Sequence, residues 1–514
     1  MAHTAPSYLL TRRLFLRLLG VVWLLAFLSL AGQIVGLVGE RGIMPAGRFL
    51  EWAGSIYGTA SWRQLPTVFW FGAGDGALRA VAWCGVGLAV LLVLGIAPLP
   101  VLALLWALYL SLAVAGQDFL SFQWDALLLE TGLLAMVWAP ATWRLGRGES
   151  RPPELARLLL VLLLFKLIFL SGATKLLSGD PTWRSAAALD FHFETQPLPP
   201  WTAWYAHQLP ATVHRALTLF TLVVEVVVPW LLLLPDRVRA LRIGAAGAIA
   251  ALQVGIAATG NYGFFNLLTL VLCVPLLDDA TLGRLRLRRA DGELPSRSRA
   301  RHAVVLAAFP LLVGLSLLSM VRELAFTVPD GRGMRWWPSW ANETMELVAP
   351  LRSINGYGLF RVMTIQRPEL ILEGSADGIR WEAYDFRYMP DAVGERPRFV
   401  APFHPRLDWQ LWFAALAPVQ SHGWLETLAV RLQSSTPEVL ALLGRNPFPD
   451  APPRHVRAVL YDYRFSTREE RRRTGAWWAR ERQGEIPLGS VTESSRGSRE
   501  RPSTVLVRRN PRGT

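Results

Sequence analysis

The chain contains 53 lysines and arginines together, yet its only two lysines, Lys166 and Lys175, lie nine residues apart. Both belong to a strongly apolar stretch that ends in FLSGATKLLSGDPTW (169–183). A buried lysine amine can lose its proton and act as a base or a nucleophile, whereas a guanidinium cannot. Lys175 is therefore the first candidate catalytic residue. On a helix, nine residues correspond to about 900° of rotation, so the two lysines project from opposite faces.

Further polar side chains occur in or beside the apolar stretches of the sequence. An ionisable group in a membrane is costly unless it is paired or hydrated, so each is a functional candidate. They are Lys166, Glu225, Asn261 and Asn266 within apolar stretches, and Asp125 and Glu130 at the start of another one. Pairing of Lys166 with Glu225 or Glu130 could simply hold helices together.

Lys175 has two interpretations. A lysine at the end of a membrane-spanning helix usually extends its amine to the interface. Alternatively, Lys175 faces a pocket, and His192, Glu130 and Asp125 are further candidate catalytic residues that adjust its proton affinity. The ligand of such a pocket would be a lipid or a quinone-like molecule; no cofactor is predicted beyond that.

The outer loop 176–213, which follows Lys175, concentrates polar and aromatic side chains. Its candidate functional residues are Asp180, Trp183, Arg184, Asp190, His192, Glu194, Trp204 and His207. The spacing of its histidines and carboxylates does not define a metal site, and none is predicted. A folded cap with aromatic rings at the membrane interface is the simpler expectation. The sequence lacks HExxH, GxSxG, Walker and GxGxxG motifs, so no standard catalytic motif supports an enzyme.

The composition predicts a polytopic α-helical membrane bundle of about eight to nine spans. Hydrophobic residues make up 52% of the 514 residues and charged residues 18%, and runs of about 18–20 apolar residues are typical of membrane helices. The predicted spans are 14–38, 79–96, 99–115, 126–139, 156–174, 214–235, 241–259, 262–277 and 303–321. The lipid bilayer is thus one partner.

The distribution of basic residues predicts the orientation. The net charge of +14 sits largely in short loops and the tail, which argues against nucleic acid as a partner and follows the positive-inside rule. With nine spans, the N-terminus and three basic loops (144–157, 237–242 and 284–301) all fall in the cytoplasm. The segments after Arg322 then lie outside.

A β-rich soluble α+β domain is predicted on the outer side, after a transmembrane domain that covers residues 1–322. It covers 323–486, with strands in RVMTIQ, ELILEG, IRWEAYDFRY and VRAVLYDYRF, a turn at 375–378, and helices within 405–443. The remaining residues, 487–514, are basic and predicted to be disordered.

Several stretches together resemble the lipase maturation factor family. They are FQWDALLLETGLLA (122–135), SGATKLLSGDPTWRSAAALDFHFETQPLPPWTAWYAHQLP (171–210), NYGFFNLLTLVLCVPLLDD (261–279), SINGYGLFRVMTIQRPELILEGSADGIRWEAYDFRYMP (353–390), PRLDWQLWFAAL (405–416) and VRAVLYDYRFSTREERRRTGAWWARE (456–481). In eukaryotes the resemblance implies an endoplasmic-reticulum membrane protein that is needed for folding and assembly of secreted lipases. The arginine-rich composition suggests a bacterial-type member, in the inner membrane with its outer domain in the periplasm.

Two functions follow as hypotheses. As an assembly factor, the chain would hold secreted clients such as lipases through aromatic surface at RWWPSW (335–340) and at the outer-domain motif Asp408, Trp409 and Trp412. The segment around Lys175 also has a weaker resemblance to vitamin K-dependent gamma-carboxylase-like membrane domains, in which the matching lysine is implicated as catalytic base. That likeness implies the alternative: a membrane enzyme that uses Lys175 as a base on a lipid-soluble ligand.

Overall fold

In a computed structural model, the residues described are 7–284, 299–417 and 422–488. The predicted disordered tail lies almost entirely outside them. The α-helices are α1 Leu9–Ala31, α2 Ile34–Val38, α3 Ala46–Tyr57, α4 Ser61–Gln64, α5 Asp75–Leu94, α6 Pro98–Ala115, α7 Gln123–Trp138, α8 Glu154–Leu177, α9 Pro181–Arg184, α10 Ala188–Thr195, α11 Trp201–His207, α12 Ala211–Val226, α13 Val228–Leu232, α14 Arg239–Thr259, α15 Phe265–Cys273, α16 Asp279–Arg284, α17 Arg299–Thr327, α18 Ser339–Val348, α19 Arg406–Ala415, α20 Gly423–Gln433, α21 Pro437–Leu440 and α22 Arg468–Thr474. The strands are β1 Arg367–Ser375, β2 Glu382–Ala383, β3 Asp385–Phe386, β4 Leu443–Arg445, β5 His455–Phe465 and β6 Trp478–Leu488.

The predicted helical membrane bundle is confirmed. Within the described residues, seven helical segments are long and apolar enough to cross a membrane: α1, α5, α6, α8, α12 with α13, α14 and α17. The other two predicted spans correspond to α7, of 16 residues, and to the short helix Phe265–Leu276. At 1.5 Å per residue, α7 is only about 24 Å long, and burial among its neighbours compensates for its length.

The first predicted span, 14–38, is interrupted in the structure. Helix α1 ends at Ala31 and α2 begins at Ile34. Between them the Gln33 side-chain amide donates to the carbonyls of Ser29 and His404, at 2.6 and 2.9 Å. This break attaches the end of α1 to the C-terminal region of the chain.

The basic segments in the described part of the chain lie at one end of the bundle, here called the basic end. Arg12 pairs with Glu149 at 2.7 Å, and Arg239 pairs with Asp278. The N-terminal turn of α1 also donates to the carboxylate of Asp279. Because the predicted cytoplasmic segments meet here, the alternation of spans is consistent with nine crossings; residues 285–298 lie outside the described chain.

A four-stranded antiparallel sheet, ordered β2-β1-β5-β6, forms the centre of the C-terminal domain. In it Leu370 lies opposite Leu460, and Val459 opposite Glu485. The predicted turn joins β1 to β2: Asp377 accepts two backbone N–H bonds of 2.8 Å. The helices predicted within 405–443 are also present, as α19, α20 and α21.

This domain differs from the prediction in several details. IRWEAYDFRY, predicted as one strand, forms the short strands β2 and β3 of two different sheets, and β4 is absent from the prediction. RVMTIQ (361–366) is not a strand, because its backbone bonds to the 176–213 segment instead: Met363 N donates to Asp180 at 2.6 Å, and Arg361 O accepts from Ser178 at 2.7 Å. Strand β6 is absent from the prediction, since its sequence WARERQGEIPL is mostly polar and lacks clear alternation.

The C-terminal domain is anchored in the bundle at the end opposite the basic end, here called the domain end. The ring of Trp409 packs against Trp124 and Phe122, with centroid separations of 4.8 and 5.8 Å. His404 lies against the same two rings at 4.8 and 4.7 Å. Bundle and domain therefore share one hydrophobic core.

Candidate functional site

Lys175 faces a cavity of about 390 Å³ that is lined by α8, α10, α12, α14 and α15. Its side chain is 5% exposed, and its amine donates to both carboxylate oxygens of Glu225, at 2.7 and 2.9 Å. Of the two interpretations of this lysine, the structure therefore supports the pocket, because the amine turns into the bundle. Its partner is Glu225, which the sequence pattern does not assign to it.

Local sequence explains how α8 and α12 bring this pair together. Gly172 lies one turn before Lys175, and a Cβ atom there would come within 2.7 Å of the Glu225 Cβ. The missing side chain thus allows the close approach of the two helices. Four residues after Glu225, Pro229 lacks the N–H that would continue the helix, and α12 ends at Val226.

Trp183 closes one wall of the cavity beside the lysine. The Lys175 amine lies 5.0 Å from the centroid of its ring, in a cation–π arrangement. The indole N–H of Trp183 donates to Phe360 O at 2.9 Å. Asp180 caps the short helix that carries Trp183, by accepting from Thr182 N at 2.7 Å. The role of Asp180 in the structure is thus to position the loop.

His192, Tyr262 and Gln196 form a hydrogen-bonded chain on the side of the cavity near the domain end. The Gln196 amide nitrogen donates to two carbonyls, those of Phe193 and Thr259, which leaves its Oε1 to accept from the Tyr262 hydroxyl at 2.9 Å. The Tyr262 oxygen lies 3.3 Å from His192 Nε2. Since the tyrosine proton is already donated, Nε2 carries the imidazole proton and Nδ1 is left as the acceptor.

Burial keeps the His192 ring neutral. Burial lowers the pKa of His192 to about 4, and the nearby charge of Lys175 contributes to the same decrease. The imidazole is therefore uncharged near neutral pH. Because the Lys175–Glu225 pair carries no net charge, the polar side of the cavity is neutral as a whole.

The rest of the lining is apolar, with a few hydrogen-bonding groups. Asn266 donates to Gln253 Oε1 at 2.8 Å. The lining hydroxyls donate back to carbonyls one turn earlier, with Ser171 bonding to Leu167 and Thr221 to Leu217. The apolar lining includes Leu167, Ile168, Leu189, Phe193, Leu209, Leu217, Phe220, Leu252, Ile256, Phe265, Leu359 and Phe360. The site is thus an apolar chamber with one polar corner.

Asp125 does not face Lys175, which corrects the expectation that it adjusts the amine. It lies at the start of α7 and accepts from Arg406 at 2.7 and 2.9 Å and from the Tyr109 hydroxyl at 2.5 Å. Arg406 also donates to Phe119 O at 2.7 Å. This bidentate pair is buried and links the C-terminal domain to the bundle.

Glu130 also binds groups other than Lys175, so the expectation that it adjusts the proton affinity of the Lys175 amine is wrong. It pairs with Lys166, which confirms one of the two partners predicted for that lysine. Its second oxygen accepts from the Tyr357 hydroxyl at 2.7 Å and from Asn355 N at 3.2 Å. The two lysines thus bind carboxylates on different neighbours of α8, as their predicted opposite faces require.

Other predicted loop residues connect the bundle to the C-terminal domain. Glu194 accepts from Phe465 N at 3.0 Å, and Trp204 donates to Ser466 O at 2.9 Å. His207 lies 3.5 Å from Glu194. Each of these contacts therefore stabilises the cap that encloses the cavity.

Two more residues of the loop occupy different environments. Asp190 lies 2.8 Å from the Nδ1 atom of His214 at the start of α12. Arg184 is exposed. Among the described residues, no group of three or more His, Cys, Asp and Glu side chains is placed to hold a metal ion.

Asn261 and the outer-domain motif join the same interface. Asn261 accepts from Val400 N at 2.8 Å and donates to Arg398 O at 2.8 Å. Asp408 accepts from Tyr388 N at 2.9 Å, while Trp412 donates to Thr195 O at 3.1 Å. Asp408, Trp409 and Trp412 are all buried. This burial corrects the expectation that the motif forms an exposed client surface.

The sequence pattern does not single out Tyr262 or Gln253 in the cavity, Gln196 behind Tyr262, or Arg406 at the interface. Tyr262 lies next to Asn261 in NYGFF, and Arg406 lies within PRLDWQLW. Both segments belong to the stretches that carry the family resemblance. A single sequence, however, does not show which side chains contact each other when they are far apart along the chain.

Together these features define a class: a polytopic membrane protein whose extramembrane domain is fused to one end of its helix bundle, beside a chamber with a polar corner. Comparison with known proteins is more specific. The family model described as lipase maturation factor transmembrane domain matches residues 10–284, and the lipase maturation factor C-terminal domain matches 353–487. The chain belongs to the lipase maturation factor family.

Curated relatives match over most of the chain. Human lipase maturation factor 2 is 35% identical over 585 residues, which covers 92% of this chain and 81% of the relative. The chicken factor 2 is 36% identical, covering 91% and 80%, and mouse lipase maturation factor 1 is 33% identical, covering 94% and 87%. No solved structure matches the chain significantly.

Proposed function

We propose that the chain assists the folding or assembly of secreted proteins such as lipases, on the outer side of the membrane in which it resides. The observation that carries this proposal is the match of both halves of the chain to the two domains of the lipase maturation factor family. In a bacterial host the membrane would be the inner membrane, with the clients in the periplasm.

Exposed apolar side chains at the domain end supply a surface for such clients. Trp336 and Trp340 are 60% and 62% exposed, and Leu347 on α18 is 69% exposed. Ile379, at the tip of the β1–β2 hairpin, is 82% exposed. Trp336, Trp340 and Leu347 lie close together along the chain, and grouped exposed apolar side chains are typical of sites that contact proteins or membranes. Unlike the buried 408–412 motif, these side chains are accessible to a partly folded protein.

Site-specific crosslinking tests the proposal. A photoreactive amino acid is placed at Ile379 or Trp340 in the full chain, in its native membrane, and crosslinked proteins are identified by mass spectrometry. We expect newly secreted proteins, lipases among them, at both positions. The matched control is Trp143, an 84% exposed tryptophan in the loop at the basic end.

Two results would count against this role. One is the absence of secreted proteins from the crosslinks at Ile379 and Trp340 in cells that are secreting lipase. The other is an unchanged specific activity of the secreted lipase when the chain is deleted. Equal capture of the same secreted proteins at Trp143 would also oppose it, because that end of the bundle is the expected cytoplasmic face.

A membrane enzyme with Lys175 as base is the second candidate, favoured by the position of Lys175 and His192 on one cavity. For this role, the amine must first pass a proton to Glu225, whose two oxygens both accept from it, before it can take a proton from a ligand. Lys175→Arg keeps a positive charge beside Glu225 but cannot serve as a base. Retention of function by that variant would exclude this candidate.

A further inference from the structure

We propose that the cavity beside Lys175 is a binding site for one uncharged lipid of the diacylglycerol class, with the glycerol headgroup in the polar corner and an acyl chain along the apolar lining. The cavity volume, about 390 Å³, lies within the range of small-molecule sites. This inference concerns a ligand of the bundle and does not depend on the proposed role toward secreted proteins.

The charges at the cavity favour an uncharged ligand. Apart from the phenol of Tyr262, its ionisable lining within the described chain consists of Lys175, Glu225 and His192. The first two neutralise each other at 2.7 Å, and none of the described arginines lines the cavity. A phosphate or carboxylate headgroup would add a negative charge to a buried site whose only lysine is already neutralised by Glu225, which is strongly unfavourable.

The polar corner matches a headgroup that both donates and accepts hydrogen bonds. Glu225 takes two of the three protons of the Lys175 amine, which leaves one donor for an ester carbonyl. His192 Nδ1 accepts no proton within the described structure, although its ring lines the cavity. This nitrogen can therefore accept a hydrogen bond from the free hydroxyl of a glycerol. The cavity hydroxyls of Ser171 and Thr221, whose protons are already donated, add acceptors.

The cavity is accessible from the side of the bundle that faces lipid. Leu217 and Phe220 of α12 line it, yet they are 38% and 44% exposed. Leu209, just before α12, is 39% exposed and also lines it. Because α12 contributes to a predicted span, this edge of the cavity lies where acyl chains are available, and a lipid can enter from the bilayer with its tail between α12 and α14.

Photoaffinity labelling tests this site. The full-length protein in phosphatidylcholine nanodiscs is irradiated with a diacylglycerol that carries a diazirine and an alkyne on one chain. We expect saturable labelling of peptides from α12 and α14, competed by unlabelled diacylglycerol. Unlabelled phosphatidic acid and oleate, which offer the same chains with anionic headgroups, should not compete.

Two glycines of α14 provide a matched pair of variants. A Cβ atom at Gly255 or at Gly247 would meet no atom within 4 Å, but only Gly255 lines the cavity. Gly255→Phe adds a ring at the cavity lining and should reduce labelling by about tenfold, the change expected when roughly 1.4 kcal/mol of apolar contact is lost. Gly247→Phe, on the same helix, should label like the wild type.

Each other outcome overturns the proposal. Labelling that does not saturate, or that is equal in the Gly255 and Gly247 variants, would show that the lipid does not occupy this chamber. Competition by oleate or phosphatidic acid equal to that by diacylglycerol would show that the headgroup need not be uncharged. Circular dichroism and size-exclusion chromatography of both variants establish that they are folded before labelling is compared.

Discussion

The Lys175 amine and the Glu225 carboxylate form a bidentate ion pair, at 2.7 and 2.9 Å, between helices α8 and α12. Both side chains are less than 10% exposed. The pair stands at the polar corner of the cavity, so it neutralises this corner and holds its two walls together. Its energetics therefore bear on both the fold and the candidate site.

Removing the charge of only one member of this pair should destabilise the folded protein. Lys175→Met leaves a buried carboxylate and Glu225→Gln leaves a buried ammonium, and each should reduce the free energy of unfolding by about 3–5 kcal/mol. The double variant removes both charges and should recover most of the loss. Thermal unfolding in detergent, followed by tryptophan fluorescence, measures the cycle. Additive losses in the double variant would contradict a direct pair.

Gly172 should be intolerant of even one methyl group. Gly172→Ala would place Cβ 2.7 Å from Glu225 Cβ and from Val226 Cγ2, so α8 and α12 must separate. Such overpacking costs about 1–3 kcal/mol. Gly244→Ala on α14 meets no atom within 4 Å and should instead stabilise by about 0.5–1 kcal/mol through helix propensity. Equal melting temperatures of the two variants would refute this account of the close approach.

The local patterns of the sequence predict its helices and turns better than they predict which side chains form pairs. Uncharged runs locate the crossing helices, and the turn at Asp377 locates the hairpin, because both signals are local. The opposite projection of Lys166 and Lys175 also follows from helix geometry alone. The partner of each lysine does not follow, since several carboxylates lie at comparable depth and only tertiary packing decides which of them is adjacent.

The burial of the 408–412 motif shows the same limit. Aromatic residues suit a client surface and a core equally well, and the sequence does not distinguish the two. Trp409 is buried because Phe122 and Trp124, nearly 300 residues earlier, meet it at the domain end. Such a contact depends on the arrangement of the whole bundle, which no local pattern contains.

The Arg406–Asp125 pair should require arginine. Arg406→Lys cannot make two parallel bonds to Asp125 while also reaching Phe119 O, so we expect a loss of about 1–3 kcal/mol. The matched control is Arg445→Lys, because Arg445 pairs with Asp385 in solvent and exposed pairs contribute less than about 1 kcal/mol. The melting temperatures of the two variants, each compared with the wild type, test this expectation. Equal decreases for Arg406→Lys and Arg445→Lys would mean that the buried pair does not anchor the domain.

Asp408 should make stability depend on pH. Burial raises the pKa of its carboxyl from 3.8 to about 7, so the folded state holds a proton that the unfolded state has released. The contribution of the Asp408 carboxyl to the free energy of unfolding is fully present below about pH 4. It is lost as the pH rises through 7, where the folded state must also release the proton. Asp408→Asn should therefore match the wild type at pH 4 and exceed it at pH 8, by at most about 1.4 kcal/mol for each pH unit that separates the folded and unfolded pKa values.

The control for this pH series is Asp450→Asn, because Asp450 is exposed and the substitution should leave the difference between pH 4 and pH 8 unchanged. Melting temperatures of the three proteins across that range provide the measurement. A variant at 408 that is less stable than the wild type at pH 8 would mean that the ionised carboxylate is needed for its bond to Tyr388 N.

The orientation of the chain can be tested with single cysteines. The chain has two cysteines, Cys84 and Cys273, so both are first replaced by alanine. Ile379→Cys then places a thiol at the domain end, and Trp143→Cys places one at the basic end; the replaced side chains are 82% and 84% exposed.

A membrane-impermeant maleimide should label position 379 in intact spheroplasts and position 143 only after disruption, because arginine-rich loops are retained in the cytoplasm. A permeant maleimide should label both and so establishes that each thiol is reactive. The reverse pattern would place the C-terminal domain in the cytoplasm, where it could not meet secreted clients.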